Sequence, residues 1–271
     1  MRGRVLIIAG SDSGGGAGIQ ADIKTCTALD AYAATAITAL TAQDTSGVHA
    51  VHTVPPDFIR QQIRLVLQDI GADAIKTGML ADSETINAVC DALAEHGRRI
   101  PLVADPVMVA KGGEALLTKA AVETLKRRLL PFATLLTPNI PEAEVLSGMH
   151  IANVDEMQAA AEMMLTLGVP AVLLKGGHMP GNRLVDLLAT EDGIEFFESE
   201  RIDSRHTHGT GCTLASAITA GLAQGLGLRA AVVRARAYVQ DALRHAPGLG
   251  RGHGPLNHSI TVDPARLATL V

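Results

Sequence analysis

Arg4-Val-Leu-Ile-Ile-Ala9 runs straight into Gly10-Ser-Asp-Ser-Gly-Gly-Gly-Ala-Gly18, and the next apolar residues fall at Ile19, Ile23, Cys26 and Leu29. An unbroken apolar run ended by glycines reads as a strand covered on both faces, because an exposed face would show alternate polar positions. The spacing after the turn is one stripe of a helix. Strand, glycine turn and helix together open a parallel α/β sheet.

The same alternation continues outward. Ala34 to Leu40 is a second strand, and Asp57 caps a helix whose Ile59, Ile63, Leu67 and Ile70 share a face. Ala74–Thr77, Ile100–Ala104, Ala133–Leu136 and Val172–Leu174 read as further strands. Between them lie a helix opened by Asp82 or Ser83 and closed near Gly97, and one capped by Thr118 that carries Val122, Leu125 and Leu129. A third has Asp155 and Gln158 as a capping box and ends before Gly168. Leu184–Ala189 and Ile194–Glu198 flank Glu191-Asp-Gly193 as a hairpin, and Cys212–Leu226 is a helix rich in Ala and Gly. No repeat or low-complexity linker divides the chain, so residues 1–271 read as one domain with a mostly parallel sheet.

Composition fits a chain of this kind and narrows its partners. Of 271 residues 47% are apolar, yet there is no Trp, with two Tyr and four Phe. A core of Ala, Val, Ile, Leu and Met suits helices packed closely on a sheet and gives no platform for stacked bases. The net charge of −5 comes without long runs of one sign, which leaves no footprint for nucleic acid or an anionic membrane. A small-molecule substrate is the expectation. No stretch approaches the roughly 18 apolar residues of a membrane span, and the N-terminal run is too short for a signal peptide. Cys26, Cys90 and Cys212 are distant and odd in number, which fits a reducing cytoplasm.

In such sheets ligands bind beyond the carboxyl ends of the strands. The residues following successive strands are Ser11 and Asp12, Gln43 and Asp44, Gly78 and Met79, then Asp105, Asn139 and Lys175. Gly16, Gly18 and Ala21 fit the GxGxxA pattern of dinucleotide folds, but Asp44 comes too late to be its ribose acid, and GxxxxGK[ST] is absent. His206-Thr-His-Gly-Thr-Gly-Cys212 stands before the Ala-rich helix. Bare amides at Gly209 and Gly211, aided by the helix N-terminus, make an anion hole suited to phosphate oxygens. Cys212 in that first turn is expected to have a lowered thiol pKa. A zinc site from His206, His208 and Cys212 lacks a matching second pair.

Asn139 and Glu142 admit two readings: an amide and a carboxylate offered to Mg²⁺, or a capping box closed on its own helix. Asp105, ending a buried strand before Pro106, needs a cation or a donor, and a metal role is the expectation. Lys175 precedes Gly176-Gly177 and can place a point charge on phosphates.

These segments, with Ile37-Thr-Ala-Leu-Thr-Ala-Gln43-Asp-Thr45, Lys76-Thr-Gly-Met79, Asp105-Pro-Val-Met108 and Gly250–His258, give a full-length resemblance. The chain resembles the hydroxymethylpyrimidine/phosphomethylpyrimidine kinases of thiamine biosynthesis, in the ribokinase-like superfamily. The resemblance implies a three-layer α/β/α sandwich that binds ATP, Mg²⁺ and an aminopyrimidine alcohol, acts as a homodimer and phosphorylates twice. It implies that Gln43 and Asp22 hold the pyrimidine and its hydroxymethyl arm, with Met79 and Val107 as apolar walls. Gly209, Thr210, Gly211 and Cys212 would form the anion hole, and Cys212 would accept the hydroxyl proton. Lys175, Asn139 and Thr207 would serve the nucleotide, and Asp105 and Glu142 the metal. Two departures from the family pattern stand out: Asp44 replaces the usual Asn, placing an extra carboxylate near the acceptor, and Cys26 replaces an aromatic as a packing change. The rival readings are a pyridoxal or pyridoxine kinase of the same fold and a non-catalytic vitamin-binding protein.

Overall fold

The computed structural model describes residues 1–108, 117–179 and 181–265. Strand β1 (Arg4–Asp12) carries the opening apolar run, and both of its faces are covered. Val5, Ile7 and Ala9 pack toward α1 (Gly18–Ala28), while Leu6 and Ile8 join the core on the opposite face. The remaining strands are β2 (Tyr32–Gln43), β3 (Val48–Thr53), β4 (Ala74–Thr77), β5 (Leu102–Ala104), β6 (Leu135–Leu136), β7 (Ala171–Leu174), β8 (Arg183–Thr190) and β9 (Gly193–Glu200). Among the described residues they form one sheet, in the order β3-β2-β1-β4-β5-β6-β7-β8-β9. The strands from β2 to β7 are parallel, and the two edges are antiparallel: β3 on β2, and the hairpin β8–β9 on β7.

Helices α2 (Pro56–Asp69), α3 (Ser83–His96), α4 (Lys119–Thr124), α5 (Ile140–Ser147) and α6 (Val154–Leu165) cover one face. Helices α1, α7 (Thr210–Ala223) and α8 (Leu228–Arg244) cover the other. This is the three-layer α/β/α sandwich. Small residues let neighbouring helices of one layer pack tightly: a Cβ on Gly221 of α7 would stand 2.8 Å from the Ala231 Cβ of α8. Among the described residues no helix is long and apolar enough to cross a membrane.

Several boundaries move. The second strand starts earlier and reaches Gln43, and β1 runs to Asp12, so these polar residues end strands rather than follow them. Strand β3 has no strong signal in Val48-His-Ala-Val-His-Thr53, because an exposed edge strand needs no apolar face. Helix α6 is capped by Asn153, whose side chain accepts from Glu156 N, two residues before the expected Asp155. Pro55, not Asp57, is the cap of α2.

The chain leaves β1 toward β2 and returns to the other side of β1 as β4, so connections diverge between these two strands. That divergence opens a crevice at their carboxyl ends, where α/β sheets bind ligands.

Candidate active site

A cavity of about 750 Å³ occupies that rim. Gln43, Met79, Val107, Asp105, Asn139, Glu142, Lys175, Thr207 and the whole Gly209–Cys212 turn border it. Six parallel strands explain the gathering, because each delivers its C-terminal residues to the same edge of the sheet.

The turn before α7 is built for close approach. Gly209, the N-cap, has φ +79°, and a Cβ there would also collide with the carbonyl of Gly16. Only glycine meets both demands. No side chain caps this helix, and no acidic residue sits in its first turn. Thr210 N–H donates back to Thr207 O at 3.4 Å, while Gly211 and Cys212, whose N–H groups have no acceptor inside a helix, border the cavity at the positive end of the dipole. A Cβ on Gly211 would lie 3.3 Å from Lys175 Nζ and 3.8 Å from Asp105 Oδ2, so this lysine and carboxylate face the open helix end.

Lys175 and Asp105 form an ion pair of 3.0 Å, and Thr137 Oγ1 donates to the same Asp105 oxygen at 3.1 Å. Burial opposes charge on Lys175, but Asp105 and Glu142 outweigh it and hold the ammonium pKa above its ordinary value. Asn139 and Glu142 make a complete capping box: Asn139 Oδ1 accepts from Glu142 N at 3.0 Å, and Glu142 Oε2 from Asn139 N at 2.9 Å. Of the two readings, the cap is present. Burial pushes the Glu142 carboxyl up to about 7, with Lys175 pulling the other way.

Asp22, expected at the hydroxymethyl arm, has no exposed surface and accepts from Ser216 Oγ at 2.6 Å and from Lys76 Nζ at 2.9 Å. Lys76, which borders the cavity floor, is the residue that spacing missed, since a lysine inside a four-residue strand reads as an edge charge. One expectation is corrected: the thiol of Cys212 is not lowered. Burial pushes it up to about 11, and the nearby Lys76 ammonium and the Gly18 N–H only partly offset this. The helix N-terminus alone does not overcome desolvation.

Asp44 is not among the residues that border this cavity. Its carboxylate accepts from Ser46 N at 2.7 Å and Gly47 N at 3.2 Å and pairs with exposed His49, closing the β2–β3 turn. Cys26 is fully buried with Val5, Ile7 and Ile19, as a packing residue. A second constellation was not foreseen: His208 Nε2 lies 3.0 Å from Asp12 Oδ2 and 3.2 Å from the Gln43 amide. Asp12 also accepts from the backbone N–H of Gly14, Gly16 and Ala17, shaping the glycine turn.

Residues 12–257 match the family model described as phosphomethylpyrimidine kinase. The chain is 48% identical over 258 residues to the hydroxymethylpyrimidine/phosphomethylpyrimidine kinase of Bacillus subtilis, covering 94% of each. It is 53% identical over 265 residues to the thiamine biosynthesis bifunctional protein ThiED of Geobacter sulfurreducens, covering 98% of this chain and 54% of that one, about half its length. The ADP complex of Bacillus subtilis pyridoxal kinase superposes with a TM-score of 0.88 at 37% identity, covering 98% of this chain and 100% of that one. The architecture is ribokinase-like, and the chain belongs to the phosphomethylpyrimidine kinase family.

Proposed function

We propose that this chain, as a single kinase domain, transfers the γ-phosphoryl group of ATP to 4-amino-5-hydroxymethyl-2-methylpyrimidine and then to its monophosphate. The observation that carries this reading is the uncapped N-terminus of α7, open to the cavity and faced by Lys175. Bare amides, a helix dipole and an ammonium converge there, an arrangement suited to polyphosphate oxygens.

Phosphoryl transfer has little covalent chemistry for the protein to do, so alignment and charge neutralisation dominate. The Gly209–Cys212 amides hold the transferring group, while Gln43, Met79 and Val107 wall the acceptor. Cys212 stands beside the acceptor hydroxyl. With its thiol pushed up to about 11, it hydrogen-bonds that hydroxyl at neutral pH and accepts its proton increasingly as the pH rises. Lys76, fully buried nearby, favours the thiolate.

The donor set fits Mg²⁺, which keeps several waters and binds through one or two carboxylates plus substrate phosphates. Asp105 would hold it through the oxygen turned to the helix end, and Glu142 only through water, since both its oxygens accept backbone N–H groups. When bound, the ion neutralises phosphate charge.

A coupled ADP-release assay with the pyrimidine, its monophosphate and pyridoxal tests the reading. ADP release with both pyrimidines supports it, and turnover of pyridoxal alone would replace it with the pyridoxal kinase reading, which the TM-score of 0.88 favours as second. A homodimer, the assembly the family resemblance implies, is checked by sedimentation equilibrium.

A further inference from the structure

We propose that His208 is a positioning residue: it fixes which end of the Gln43 carboxamide faces which side of the cavity, and so points the acceptor's hydroxymethyl group at the Gly209–Cys212 turn. This rests on the pyrimidine kinase reading and names the device that sets the acceptor's orientation.

Asp12 accepts three backbone N–H groups, and its carboxyl pKa lies below the ordinary range, with His208 first among the groups that lower it against burial. It is ionised and has no proton to give. His208 Nε2, 3.0 Å from Asp12 Oδ2, must therefore carry the hydrogen, since otherwise two lone pairs would meet. The Gln43 end that stands 3.2 Å from the same nitrogen is its Nε2, which would set N–H against N–H. The other end has the matching fault. Thr41 has one hydroxyl hydrogen for two acceptors, Ser11 O at 3.0 Å and the Gln43 oxygen at 3.2 Å, so one of the two goes without. Turning the amide end for end removes both conflicts: the single His208 Nε2–H is then shared in a three-centre bond between Asp12 Oδ2 and the Gln43 oxygen, and Thr41 keeps its hydrogen for Ser11 O. The oxygen then accepts from His208, and the nitrogen donates to Thr41.

The turned amide has one oxygen lone pair and one N–H left, and Gln43 borders the cavity. An aminopyrimidine edge, with a ring nitrogen beside an amine, matches this pair with two hydrogen bonds. The match alone does not fix the ring, because an amide of either sense would bind it, turned over. With the oxygen on the His208 side, the amine lies on that side. So does the hydroxymethyl group on the adjacent carbon, and the chain continues from His208 directly into Gly209. The opposite sense carries the hydroxyl away from the phosphate cradle. Pyridoxal has no adjacent amine and ring nitrogen, so its turnover depends less on this amide.

The test compares His208→Met, which keeps bulk without N–H, with His208→Gln, which restores a donor. Asp12 retains its three backbone donors in both, so the glycine turn stays formed. In His208→Met the ratio of kcat/KM for the pyrimidine to that for pyridoxal is expected to fall at least about tenfold. ADP release should exceed phosphorylated pyrimidine, because a turned-over acceptor leaves water as the nucleophile. His208→Gln should restore both readouts. If His208→Met fails to fold, Thr41→Val removes the partner of the nitrogen end and is expected to lower the same ratio. An unchanged ratio with coupled ADP in a folded His208→Met or Thr41→Val overturns the role of His208. Wild-type protein inactive on the pyrimidine overturns the kinase reading instead, and the acceptor assignment with it.

Discussion

Lys76 Nζ sits 2.9 Å from Asp22 Oδ2, and neither side chain has any exposed surface. The pair lies where β4 and α1 meet beneath the cavity, with Ser216 of α7 as a third member. Removing one buried charge leaves the other uncompensated, which typically costs about 3–5 kcal/mol. Lys76→Met is expected to lose stability on that scale in urea denaturation. The double variant Lys76→Met with Asp22→Leu should recover much of it without recovering kinase activity. A loss below about 1 kcal/mol in Lys76→Met would show that the pair does not hold the layers together.

Cys212 gives a pH signature. A thiol pushed up to about 11 yields more thiolate as pH rises, so kcat of the wild type should climb between pH 7 and pH 9. Cys212→Ala should lose about 10²-fold or more and show a flat profile over the same range. A slope shared by both proteins would assign the proton to another group. A loss under tenfold with intact folding would leave Cys212 a packing role.

Gly209→Ala tests the turn itself. The position combines φ +79° with contact against the Gly16 carbonyl, so alanine is strained in both respects. The left-handed backbone alone costs about 1–3 kcal/mol. Nucleotide affinity, measured by titration calorimetry with a non-hydrolysable ATP analogue, should fall more steeply than pyrimidine affinity. Equal losses in both would point to general unfolding of the rim.

His258 ties the C-terminal segment to α7, with its Nε2 2.9 Å from Thr213 Oγ1, and Tyr238 Oη donates to its carbonyl. Burial pulls its pKa down to about 4 from 6.5. For a base with a depressed folded pKa, the stabilisation is fully present above the unfolded value of 6.5. It is lost as pH falls toward 4, since only the unfolded chain gains the proton in that window. Up to about 3 kcal/mol is at stake. Urea denaturation from pH 7 to pH 4 should show this decline, and His258→Gln should flatten it.

What the sequence determined by itself was local. Val5 to Ala9 announced a doubly covered strand, the glycines at 14–16, 209 and 211 announced turns with bare backbone, and polar residues at strand ends announced a rim. Each signal is carried by neighbours a few residues apart, within reach of spacing and propensity. The tertiary structure alone decided the partners. Asp22, expected at the acceptor's hydroxymethyl arm, meets Lys76, 54 positions away; His208 meets Asp12 across 196 positions. The direction of the Cys212 shift follows from how deeply the fold buries it and which charges stand around it. Burial and long-range charge are properties of the packed sheet, so no spacing along the chain encodes them.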